Sequence, residues 1–147
     1  MKARNKKTIS KILKLKDSRK KELELEVKMA ADKVDEEESK LNTLQDNYEE
    51  TLRYFNEKND SGSLDIHNIN SYYDFFSRIN GKIDAQKKVH DRCQTELSSL
   101  KNSLVNAHKE KKMYEILTDK AIKADKRENA LSEQKDADFT AISRRIK

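Results

Sequence analysis

The sequence predicts an all-α fold: two long helices in an antiparallel coiled-coil hairpin, with helix 2 overhanging at the C-terminus. Three observations lead there. Charged residues make up 40% of the 147 and hydrophobic ones 34%, with no proline, no tryptophan and two glycines. That is too little apolar residue and too few turns for a globular core. The apolar residues recur at steps of three and four along two long stripes. A single polar break, Asn59-Asp60-Ser61-Gly62-Ser63, separates the stripes.

Helix 1 is expected over about 5–58. Its stripe runs Ile9, Leu13, Leu23, Val27, Ala30, Val34, Leu41, Leu44, Tyr48 and Phe55, with Lys16, Lys20, Glu37 and Thr51 at the skipped positions. The turn is expected at 59–65, where glycine accepts a left-handed C-cap and Asp or Asn caps the next helix. Helix 2 is expected over about 66–145, on Ile69, Tyr72, Phe76, Ile79, Ile83, His90, Cys93, Leu97, Leu100, Leu104, Ala107 and Tyr114. Gln86 and Lys111 interrupt this stripe. Residues 1–147 thus read as one coiled-coil hairpin.

In an antiparallel hairpin, the numbers of facing residues add to a constant. Phe55 with Phe76, Tyr48 with Ile83, Leu41 with His90 and Val34 with Leu97 give 131. Leu44 with Gln86, Ala30 with Leu100 and Leu23 with Ala107 give 130. The same register sets Lys20 against Lys111 and Lys16 against Tyr114, so the open end is expected to fray first. From about residue 123 helix 2 has no partner. An apolar stripe nevertheless continues, shifted by one position, through Leu117, Ala121, Ala124, Leu131, Phe139, Ile142 and Ile146. Such a stripe reads as a docking helix or as a frayed tail.

Charge is unevenly spread. Residues 1–21 hold ten Lys/Arg against Asp17, and residues 22–60 hold five against thirteen Asp/Glu. In the hairpin the N-terminal run, Lys2 to Lys21, meets Lys111, Lys112, Lys120, Lys123, Lys126 and Arg127 at one basic end. That end suits an acidic protein, anionic lipid or nucleic acid. A protein partner fits best, because Tyr114 is the lone ring there on which a base would stack.

Seven of the nine aromatic residues lie between Tyr48 and Phe76. Tyr48, Phe55, Tyr72 and Phe76 fall in the seam. Tyr54, Tyr73 and Phe75 fall outside it, and Phe75 beside Ile79 reads as an exposed apolar patch for a partner; the alternative is that these rings fold over the seam. No phosphate loop, nucleophile elbow, zinc motif or cysteine pair occurs. His90 and Cys93 are three residues apart but sit at core positions, where packing is the expected role. No enzyme activity, cofactor or metal is expected. One cysteine fits a reducing compartment, no apolar run follows the basic N-terminus as in an export signal, and no stretch approaches the roughly 20 apolar residues of a membrane span.

The order of features resembles the flagellar protein-export component FliJ. It is carried by the basic start "TISKILKLKDSRKKELE", the aromatic opening "NSYYDFFSRINGKI" and the close "HKEKKMYEILTDKAIKADKRENALSEQKDADFTAISRRIK". The close holds Glu115 and Leu117, then Asp136 and Asp138, then Arg144 and Arg145. "KDADF" stands where an Asp-Glu pair is usual. The resemblance implies a cytoplasmic hairpin similar to the stalk of rotary ATPases, peripherally associated with the inner face of the cell membrane without inserting into it. Its implied partners are the export ATPase hexamer, the cytoplasmic domain of the membrane export gate and export chaperones, and no nucleic acid. Carried onto this chain, Tyr72, Tyr73, Phe75 and Ile79 would meet the gate. Ile9, Leu13, Lys16, Arg19, Lys123, Arg127, Leu131 and Phe139 would meet the ATPase. An injectisome stalk protein and a basic arm binding nucleic acid are the alternatives.

Overall fold

The computed structural model describes residues 3–146 and contains two helices, α1 (Ala3–Asp60) and α2 (Ile66–Ile146). Lys2 lies outside the described residues. A hairpin with a long second helix is the observed architecture. α1 extends two residues beyond each of its expected ends, whereas α2 starts at the expected residue and runs one residue further at its C-terminus. Without proline, nothing removes a backbone donor from either helix. Pairs four residues apart add support along α1: Asp17–Lys21 at 3.2 Å, Lys20–Glu24 at 3.5 Å, Lys33–Glu37 at 3.0 Å and Glu36–Lys40 at 3.5 Å.

Hydrogen bonding explains where α1 stops. Gly62 takes φ +70°, its N–H donates to the Asn59 carbonyl at 3.2 Å, and the Ser63 N–H donates to the Lys58 carbonyl at 3.1 Å. These two bonds form a Schellman cap, which requires the left-handed conformation that glycine adopts freely. Asp65 then caps α2: its Oδ1 accepts from the Asn68 N–H at 2.8 Å, and its carbonyl accepts from the Ile69 N–H at 3.0 Å. Leu64 and Ile69, both half-buried, flank that cap at the spacing of a hydrophobic staple.

The chain divides into two units, Leu25–Asn102 and Met1–Glu24 with Ser103–Lys147. In the first, which contains the turn, Val34, Ile79 and Ile83 are buried. In the second, Leu23 and Ala107 are. Each core is a single layer deep, so most stripe residues remain half-buried.

Candidate functional site

The unit with the turn carries the aromatic cluster. Phe55 meets Tyr72 edge to face at 5.1 Å between ring centres, and Phe76 meets Tyr48 at 5.3 Å and Phe55 at 6.0 Å. The expected Phe55–Phe76 contact is present, but Phe76 sits between two α1 rings that are one heptad apart, level with Thr51. Such edge contacts suit the ring quadrupole. Phe75 is half-buried, 5.7 Å from the ring of Phe76. It lines a shallow groove with Leu44, Asn47, Arg78, Ile79 and Lys82. It is therefore less exposed than its place outside the seam suggests. Tyr73 is 63% exposed, and Tyr54, 52% exposed, lies under the Lys58 ammonium at 4.8 Å. Ile79 is 5% exposed and serves as core beneath Phe75. The structure therefore sets Tyr72 and Tyr73 against Phe55, at 5.1 and 6.4 Å between ring centres, and places Phe75 with Ile79 in the groove.

Deeper in the same unit lies a feature that the stripes showed only as two defects. Glu37 is 4% exposed, the one buried charged side chain among the described residues. Gln86 donates from Nε2 to the Glu37 carbonyl at 3.0 Å and also to its carboxylate. Lys33 and Lys40 close on that carboxylate at 3.0 and 3.1 Å. The Gln86 amide, followed by the two ammonium groups, holds Glu37 down to a pKa of about 2. Pairing the interruptions of the two stripes with each other would have found this layer. The expected register set Gln86 against Leu44, one heptad away. His90 and Cys93 are half-buried on the seam face, and the His90 Nε2 is buried without a hydrogen-bond partner. No group of three or more His, Cys, Asp or Glu side chains among the described residues is placed to hold a metal.

The other unit carries the basic surface. Lys16 reaches Glu110 at 2.8 Å and lies 5.7 Å over the ring of Tyr114, as the register anticipated. Lys111 does not oppose Lys20. It pairs with Asp17 at 2.8 Å, while Lys20 turns to Glu24. These contacts raise the pKa of Lys16, chiefly through Glu110, and of Lys111, chiefly through Asp17; Lys111 and then Lys21 lower that of Asp17. Arg19 meets Glu22 at 3.3 Å. Lys7, Lys11, Lys14, Lys120, Lys123 and Arg127 are exposed and carry no ion pair among the described residues, so these side chains, more than Lys16 and Arg19, present the positive charge. Ile9 and Leu13 are half-buried seam residues.

Lys6 and Asp125 form an ion pair at 2.7 Å, so α1 is met two residues beyond the expected start of the overhang. Thr118, Ala121 and Asp125 are half-buried, whereas Leu117 is 44% exposed. The off-seam stripe is accordingly open to solvent: Leu131 is 58% exposed, Phe139 72%, Ile142 56% and Ile146 81%. The segment is helical through Ile146, so the frayed-tail alternative does not describe it. No described helix is long and apolar enough to cross a membrane.

One unit offers rings over a thin core, and the other offers exposed ammonium groups beside an exposed apolar helix face. No curated protein and no solved structure matches the chain at a significant level. The sequence profile of the flagellar FliJ protein family does match, over residues 5–146. The chain belongs to the flagellar FliJ protein family.

Proposed function

We propose that this protein is a non-catalytic coiled-coil stalk of the flagellar export apparatus. It engages the export ATPase hexamer through the unit that holds the basic surface and the overhang. It engages the cytoplasmic domain of the export gate through Tyr72, Tyr73 and Phe75, with export chaperones as further partners. Such a protein works in the cytoplasm, at the inner face of the membrane.

The observation that supports this reading best is the helix beyond Asp125. A folded helix with Leu131 and Phe139 open to water, next to exposed Lys123 and Arg127, is a surface in need of an acidic, partly apolar partner. Removal of residues 127–147 spares the Lys6–Asp125 pair. It should leave the melting transition of the hairpin in place and abolish stimulation of the ATPase hexamer. Undiminished stimulation by the truncated protein would refute the assignment of that contact.

A further inference from the structure

Every residue of α2 from 126 to 146 is exposed except Ser143, although the segment has a core-like pattern of its own. Steps of four and three connect Ala124, Glu128, Leu131, Lys135, Asp138, Ile142 and Arg145, the alternation of coiled-coil core positions. Three of these seven are apolar and four are charged. A seam of that kind is satisfied only by a partner with the opposite charge at each charged layer.

We propose that a second copy of the same segment is that partner, packed antiparallel about a two-fold axis between Asp136 and Ala137. In that arrangement Leu131 faces Ile142 of the second copy, Glu128 faces Arg145, and Lys135 faces Asp138. The six core positions from Glu128 to Arg145 thus each meet one of matching chemistry, with Ala124 outside the paired stretch, and the two-fold repeats the set. A parallel pair would instead set Glu128, Lys135, Asp138 and Arg145 each against its own kind, which is destabilising in four of the seven layers. Phe139, which follows Asp138 on both copies, lies beside the seam near the axis, where its exposed ring gains cover. The charges therefore select one orientation and register, while Leu131 and Ile142 supply apolar burial.

Self-pairing covers Leu131 and Phe139. If the ATPase reading above holds, the dimer and the ATPase complex exclude one another, and the dimer is the form of the protein that is not engaged with the ATPase. The self-pairing itself does not depend on that reading.

Sedimentation velocity of the full chain over a concentration series reads the dimer directly. It should weaken with added salt, since exposed charge pairs are screened. Lys135→Glu sets a carboxylate against Asp138 and should raise the dimer dissociation constant roughly tenfold or more. Adding Asp138→Lys restores opposite charge and should return it close to the parent value. For orientation, chains carrying Cys93→Ser with Leu131→Cys should crosslink to chains carrying Cys93→Ser with Ile142→Cys, and neither should crosslink to its own kind. The proposal is overturned by a chain that stays monomeric at every concentration. Self-crosslinking of the Leu131→Cys chains, or a dimer indifferent to Lys135→Glu, overturns it as well. A monomer that nonetheless stimulates the ATPase hexamer through residues 127–147 would discard self-pairing and leave the stalk reading intact.

Discussion

Gln86 of α2 bonds to Glu37 of α1 twice, at the backbone carbonyl and at the carboxylate, which turns one interruption of each stripe into a specific contact between the helices. A buried charge is tolerable only when its lone pairs are filled, and here one amide and two ammonium groups fill them. Gln86→Leu enlarges the apolar seam yet removes the closest donor. It should lower the melting temperature relative to the parent, whereas replacing both partners by leucine should recover it. The double variant loses the one layer that distinguishes neighbouring registers. A short bis-maleimide should link Val34→Cys to Leu97→Cys within one chain in a Cys93→Ser background, and should do so less completely when both polar residues are leucine. Thermal melts and crosslinking yields check both statements. An unchanged melt for Gln86→Leu would reduce the layer to an incidental contact.

Acid should reveal the same layer. Glu37 ionises more readily in the folded chain than its ordinary value of 4.5 allows, down to about 2. Its contribution is therefore fully present above about pH 4.5 and is lost as the pH falls toward 2. The lowered pKa of Asp17 beside Lys111 has the same sign. Melting temperatures of the parent and of Glu37→Gln should differ most above pH 5 and converge as the pH approaches 2. Parallel curves over that range would contradict the assignment.

The aromatic cluster should separate two tasks. Phe76 touches Tyr48, Phe55 and Tyr72 but remains half-buried, so Phe76→Ala should cost about 2–3 kcal/mol, below the cost at a fully buried site. Phe75 packs on Phe76 from the side, and Phe75→Ala should cost about 1 kcal/mol. If Phe75 anchors the gate, that truncation should remove roughly 2 kcal/mol of binding energy. Urea melts and calorimetric titration with the gate's cytoplasmic domain measure the two quantities. Equal gate affinity for Phe75→Ala and the parent would leave the cluster as closure of the turn end alone.

Gly62 offers a test of backbone strain free of steric complication. A Cβ there would meet nothing within 4 Å, so Gly62→Ala pays only for holding φ near +70°, about 1–2 kcal/mol. Gly81 lies within α2 in ordinary helical geometry with open space around it. Gly81→Ala should therefore stabilise by up to about 1 kcal/mol through helix propensity. Denaturant midpoints of the two variants should move in opposite directions.

The number of helices, their approximate ends and the antiparallel direction could be read from the sequence, because apolar steps of three and four and one Asn-Asp-Ser-Gly break are local signals. The overhang was legible for the same reason: α2 outlasts α1. Register was not legible. A 3.5-residue repeat looks the same when one helix slides by half a heptad, so stripes that pair Phe55 with Phe76 also allow Phe76 to sit between Tyr48 and Phe55, where the structure has it. The charged pairing was equally out of reach. Whether Lys111 opposes Lys20 or finds Asp17 depends on where flexible ammonium groups reach across a helix surface, and spacing along one chain does not encode that. Tertiary structure settled both, because only two helices packed together can offer Glu37 a donor, and the position of Gln86 on α2 determines which turn of α1 lies beside it.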